Sequence, residues 1–131
     1  MNSTLQTITD YINDSRVLLQ DTLIPYRYQD ADLVTAMNVT LLEGRRLRPD
    51  LFVYHRLVTG QSDVQSLIGN DGTQINIEPQ FRLGFLYGMI AHALMRDQED
   101  IQDERAGAYQ KMFADTLLGV RPTPISLAQG G

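Results

Sequence analysis

The sequence predicts a mainly α protein: a four-helix bundle with a β-hairpin or extended arm inserted between helices 2 and 3, and an extended C-terminal tail. Three observations carry this. Apolar residues recur at three- and four-residue steps in three separate stretches, the period of a helix with one buried face, and a fourth stretch is apolar nearly all round. Residues 51–78 break that period around the turn-forming run Gly69-Asn70-Asp71-Gly72. Residues 120–131 hold two prolines, two terminal glycines and no period at all. At 131 residues the size fits one domain with a modest core. Residues 1–119 then form the helical domain, with the arm 51–78 inserted, and 120–131 form the tail.

The first helix is expected from Ser3 or Thr4 to about Gln20. Leu5, Ile8, Ile12, Ser15 and Leu19 share one face, while Asp10, Asn13, Asp14 and Arg16 fall mostly elsewhere on the wheel. The second helix is the best punctuated, over Asp30–Arg48. Asp30 or Asp32 is placed to accept from the free N–H groups of the first turn. Leu33, Met37, Leu41, Gly44 and Leu47 form its apolar face. Pro49 disfavours helical backbone at the residue before it, and Arg45, Arg46 and Arg48 crowd the last turn, where cations offset the helix dipole.

Leu51-Phe52-Val53-Tyr54 is aromatic and β-branched, which favours an extended segment. Val64–Ile68 and Thr73–Ile77 flank the Gly-Asn-Asp-Gly run as two short strands of a hairpin. An isolated hairpin is marginal in water, so this arm must lean on the domain's own helices or on a neighbouring subunit. Glu78-Pro79 opens the third helix, which is apolar nearly all round from Phe81 to Met95. In so small a domain, an oligomer interface is a natural outlet for that surface. The smooth stripe Gly84, Gly88 and Ala91, or the face Leu83, Tyr87 and Ile90, is the candidate subunit contact. The acidic turn Asp97–Glu104 leads into a fourth helix reaching about Gly119, with Ala106, Tyr109, Phe113 and Leu117 facing the core and Met112 alongside.

Composition narrows the function. The formal charge of -5 argues against a protein that grips nucleic acid over its whole surface. Ten of the eleven cations are arginine, whose planar fork suits interface ion pairs, although genome composition gives the same bias. There is no cysteine, hence no disulfide framework, thiol nucleophile or thiolate metal site. The N-terminus lacks the basic and apolar regions of a signal peptide. The longest apolar-rich run, Leu83–Met95, falls short of the roughly 20 residues that cross a bilayer. A soluble protein made in a cytoplasm is expected.

Catalytic constellations are absent from the sequence. His92 lies inside the apolar third helix, where a hydrogen-bonded core or interface histidine is the simpler reading, and His55 has no partner in sequence. Neither belongs to a metal-ligand spacing. The carboxylates of Asp97–Glu104 lack the pattern of a calcium loop and suit the positive end of the fourth helix. No serine lies in a Gly-x-Ser-x-Gly context, and the glycine turn lacks the lysine of a phosphate loop. No cofactor or metal is expected, and no enzyme. Arg45, Arg46, Arg48 and Arg56 are the one possible basic patch. They would serve a nucleic acid or an acidic partner, or pair locally with Asp50 and Glu43.

Taken together, Tyr26-Arg27-Tyr28-x-Asp30 before the second helix, Asn38 within it and Arg48-Pro49-Asp50-Leu51-Phe52 at its end resemble the head-to-tail connector proteins of tailed bacteriophages, also described as adaptor or head-completion proteins. The similarity continues through Gly88–Asp97, Asp100, Asp103, Arg105-Ala106, Tyr109 and Phe113. These are diffuse helix and turn signals spread over most of the chain. The resemblance implies a structural virion protein, made in the host bacterial cytoplasm, that forms a ring, typically twelve-fold, beneath the portal. Such a ring extends the DNA channel, lets DNA pass without specific binding and offers a docking surface to tail or neck proteins. Within that expectation the tail is a strap that docks on the portal through Arg121, Pro122, Pro124, Ile125 and Leu127: the two prolines restrict the chain and keep it out of a helix, and Ile125 and Leu127 point to one side. Two rivals come from other classes. One is a small nucleic-acid-binding regulator using the arginine-rich end of helix 2, and the other a metal-dependent hydrolase using the acidic turn.

Overall fold

A computed structural model describes residues 4–52, 66–96 and 101–119, with the side chains of 101–103 left aside. The protein is mainly helical. Its helices are α1 (Ile8–Leu19), α2 (Asp30–Leu47), α3 (Pro79–Arg96) and α4 (Ile101–Leu118). The α3 helix is central, packing most extensively on α4, then on α2, and over a smaller area on α1.

The first helix begins later than the expected Ser3 or Thr4, because a better cap lies downstream. The Thr7 hydroxyl accepts from the Asp10 amide while the Asp10 carboxylate accepts from the Thr7 amide, a reciprocal capping box. Leu5, Ile8, Ile12, Ser15 and Leu19 are buried as the spacing predicts. Gln20 then takes left-handed backbone (φ 58°), and the Asp21 amide closes onto the Arg16 carbonyl at 2.8 Å. That reversal brings the Asp21 carboxylate back beneath the helix it has just left.

In α2 the predicted face is correct, with Leu33, Met37, Leu41 and Gly44 buried and Leu47 half-buried. Its N-cap is Gln29, without a side-chain cap bond, rather than Asp30 or Asp32. The carboxylate of Asp30 is used elsewhere, as shown below. After Pro49 the chain does not extend: Asp50, Leu51 and Phe52 are helical, and Phe52 is buried edge-on against Phe85 with ring centroids 6.2 Å apart. Val53 and Tyr54 lie outside the described residues.

The hairpin expectation is replaced by a different pairing. Thr73–Ile75 lines up antiparallel with the segment before α1: the Ile8 amide donates to the Thr73 carbonyl and the Ile75 amide to the Gln6 carbonyl. The described part of the arm, 66–78, lies against the protein's own helices. Leu67, Ile75 and Ile77 are buried. Asn38 holds Leu67 through both its groups, accepting from the amide at 2.8 Å and donating to the carbonyl at 2.9 Å. Asn70, at the turn, accepts from Thr9 and donates to Asp30. Of the two supports considered for the arm, the described residues use the domain's own helices; Val64 and Gln65 lie outside them.

The apolar third helix is accounted for within one chain. Phe85, Leu86, Met89, Ile90, Ala91, Ala93 and Leu94 are all buried. At its centre the Phe85 ring meets Phe113 edge-on at 5.5 Å and fills the space left by Gly44, where an added Cβ would lie 2.6 Å from the ring. The stripe Gly84, Gly88 and Ala91, expected as a subunit contact, is therefore core. A Cβ at Gly84 would meet Thr116 of α4 at 2.6 Å, and one at Gly88 would meet Thr40 of α2 at 2.6 Å and Phe113 of α4 at 2.9 Å. Those glycines let three helices of the same chain approach. No helix among the described residues is long and apolar enough to cross a membrane.

Candidate interaction surfaces

The strongest polar arrangement is one the helical wheel of α1 does not suggest. Arg16, assigned to the outer side, is only 5% exposed. Its guanidinium donates to Asp21 (2.9 Å), to the Tyr28 carbonyl (2.7 Å) and to Asp30 (2.5 Å), and stacks 3.9 Å above the Tyr26 ring. Asp21, equally buried, also accepts from the amides of Arg27 (2.7 Å) and Tyr28 (3.0 Å). The end of the connection at Arg27 and Tyr28 is thus tied to one arginine and one aspartate. The hydrogen bonds from Arg16 and Asn70 hold the Asp30 carboxyl below the usual carboxylate range. Part of the Tyr26–Asp30 stretch is therefore a folding device.

The same device presents an apolar knuckle. Leu23 and Ile24, followed by a cis Ile24–Pro25 peptide, are each 82% exposed, while both ends of their loop are fixed. The sequence signal was available: two aliphatic residues beside a proline in a short connection.

A second exposed apolar surface lies on α3 and α4. Leu83 is 42% exposed and Met112 40%. On the same two helices the half-buried rings of Tyr87 and Tyr109 lie against each other, tilted by 39° with centroids 5.8 Å apart. Of the alternative contact face Leu83, Tyr87 and Ile90, Leu83 thus remains open, Tyr87 is partly covered and Ile90 is buried in the chain's own core.

A third cluster joins α2, α3 and α4. Glu43 Oε1 lies 2.9 Å from His92 Nε2 and accepts from Gln110 Nε2 at 2.7 Å. Burial alone would raise the Glu43 carboxyl, but the hydrogen bonds from Gln110 and His92 outweigh it and hold the group below its usual value. With Glu43 ionised, the proton between it and His92 resides on the histidine nitrogen. His92 is thus a hydrogen-bonded interhelix residue, as its place in an apolar helix suggested. Among the described residues no group of three His, Cys, Asp or Glu side chains is arranged to hold a metal.

The basic patch is smaller than its sequence. Arg48 makes a two-pronged pair with Asp50 at 2.9 and 2.8 Å, donates to the Leu117 carbonyl near the end of α4 at 2.5 Å and lies over the Phe81 ring. Local pairing was one of the expected outcomes for it, and here it also ties α2 to α4. Arg45 and Arg46 are exposed on α2. Arg56, His55, the carboxylates Asp97, Glu99 and Asp100, and the tail residues Arg121, Pro122, Pro124, Ile125 and Leu127 lie outside the described residues.

Compared with known proteins, the chain matches no family model, no curated protein and no solved structure.

Proposed function

We propose that this chain is a structural subunit of a bacteriophage head-to-tail connector, assembling as a ring that joins the portal to the tail and extends the DNA channel. The observation that carries the reading is the ordered resemblance from Tyr26-Arg27-Tyr28-x-Asp30 through Arg48-Pro49-Asp50-Leu51-Phe52 to Phe113. Two features are in keeping with it. The polar clusters at Arg16 and Glu43 are engaged in holding helices and loops together. Exposed large apolar residues occur at several places among the described residues, including Leu23 and Ile24 in the α1–α2 loop, Leu42 on α2, Ile68 in the arm, and Leu83 and Met112 on α3 and α4. A ring built from one kind of subunit uses two unlike surfaces per subunit, since its contacts are head-to-tail. The formal charge of -5 suits a channel wall along which DNA slides.

Portal attachment is assigned to the tail, with Ile125 and Leu127 held in a groove and the prolines limiting the entropy lost on capture. The two side chains together contribute roughly 3–6 kcal/mol gross, a term multiplied by avidity around a ring. Deleting residues 121–131 is expected to leave the helical far-ultraviolet spectrum intact and to abolish co-sedimentation with DNA-filled, tail-less heads. Truncated protein that joins heads with unchanged affinity would move the portal contact to another surface, with Arg45 and Arg46 the next to test.

A further inference from the structure

We propose that the Asp71–Gly72 bond is a self-modification site, at which aspartate isomerises to isoaspartate through a succinimide, and that Thr73 is the residue that restrains it. The inference stands apart from the connector reading and concerns the single folded chain.

Both the sequence and the fold single out this position. Isomerisation begins when a main-chain nitrogen reaches the side-chain carboxyl of the residue before it, and glycine, having no Cβ, leaves that nitrogen least hindered. Asp71 is the only aspartate in the chain followed by glycine, and no asparagine is. Asp71 and Gly72 are both exposed, Gly72 takes positive φ (77°), and nothing beyond its chain neighbours lies within 4 Å of where its Cβ would be. The reaction needs no reagent but water. The Gly72 nitrogen bonds to the Asp71 carboxyl carbon, and its proton leaves with the carboxyl hydroxyl as one water, closing the succinimide ring. Water then adds to either ring carbonyl and breaks the bond from that carbonyl to nitrogen. Opening at the side-chain carbonyl restores aspartate. Opening at the main-chain carbonyl leaves the chain running through the side-chain carbon, which is isoaspartate.

Thr73 opposes the first step. Its amide (3.1 Å) and its hydroxyl both donate to the same Asp71 carboxylate oxygen. Those bonds hold the carboxyl below the usual carboxylate range and so disfavour the protonated form, the one that can lose its hydroxyl. What isomerisation does to the arm follows from the contacts on either side of the bond. Before it, Asn70 is fixed by Thr9 and Asp30. After it, the Thr73 carbonyl accepts from the Ile8 amide, and the Ile75 amide donates to the Gln6 carbonyl. Isoaspartate inserts one methylene into the main chain between these anchors. The lengthened turn no longer matches the fixed span between them, and the arm loosens where it pairs with the segment before α1.

The purified chain is incubated near neutral pH in water enriched in heavy oxygen, because each passage through the succinimide leaves one labelled oxygen on residue 71 whichever way the ring opens. Peptide mapping by mass spectrometry is expected to find label and isoaspartate at Asp71 well above every other aspartate. In Thr73→Val the rate should rise about fivefold, the factor that one lost hydrogen bond of ordinary strength supplies. Thr73→Ser keeps the hydroxyl and should keep the parent rate. Hydrogen exchange at the Ile8 and Ile75 amides should quicken in the aged parent but not in Asp71→Ser aged alongside, which has no carboxyl to react. Label at Asp71 no greater than at the other aspartates would overturn the site. An unchanged rate in Thr73→Val, or an equal rise in Thr73→Val and Thr73→Ser, would overturn the restraint assigned to Thr73. Exchange at Ile8 and Ile75 that ignores the isoaspartate content would overturn the effect on the arm.

Discussion

Replacing Arg16 by methionine is expected to lower the stability of the fold by about 3–5 kcal/mol, the usual cost of removing one partner from a buried ion pair. Methionine keeps the apolar stem, so the loss reports the guanidinium. Its removal leaves Asp21 buried without its cation and frees the Tyr28 carbonyl. Adding Asp21→Asn should recover part of the loss, because the uncompensated charge is gone while the single amide oxygen still accepts from one of the Arg27 and Tyr28 amides, which bond different oxygens of the carboxylate. The pH dependence has a definite sign. Asp30 is held below its ordinary value in the fold by the hydrogen bond from Arg16. Its contribution is therefore present above the usual carboxylate value of about 4 and is lost as the pH falls through the lowered one. The stability gap between parent and Arg16→Met, measured by urea unfolding, should narrow as the pH drops below about 4. A gap under about 1 kcal/mol at neutral pH, far below the usual cost of a broken buried pair, would show that the network is incidental.

Gly88→Leu is expected to unfold the protein or to destabilise it at or beyond the usual overpacking range of about 1–3 kcal/mol. The first added carbon alone would sit 2.6 Å from Thr40 Cγ2 and 2.9 Å from the Phe113 ring, and the rest of the side chain has no space to enter. Thermal unfolding followed by circular dichroism checks this. A Gly88→Leu chain that keeps the parent melting temperature but no longer assembles would place Gly88 on an outer face, as the sequence alone had suggested.

That contrast shows where the sequence is informative and where it is silent. Local periodicity identifies the buried face of α2 at Leu33, Met37 and Leu41, and of α4 at Ala106, Phe113 and Leu117. The Thr7-x-x-Asp10 capping box was legible too, and reading it would have started α1 at Ile8. What periodicity cannot state is which distant segment covers a face. Leu5, Leu67, Ile75 and Ile77 join the same core as α3 from segments far apart in sequence, so a helix that looks too apolar for a monomer is satisfied within one. The bridge between Thr7 and Gln74 is likewise a long-range choice, one that a turn signal at Gly69–Gly72 does not encode. Arg16 was misplaced because a wheel treats every charge as outward-facing. Its partners Asp21 and Asp30 become neighbours only after Gln20 turns the chain back.

The central claim, that copies of this chain form a ring on the portal, is tested most directly by electron microscopy of DNA-filled, tail-less heads incubated with the purified protein. The expected image is a closed ring of added density on the axis below the portal, built from copies of one helical subunit. Heads that remain bare at saturating protein, or density scattered over the capsid surface, would contradict it.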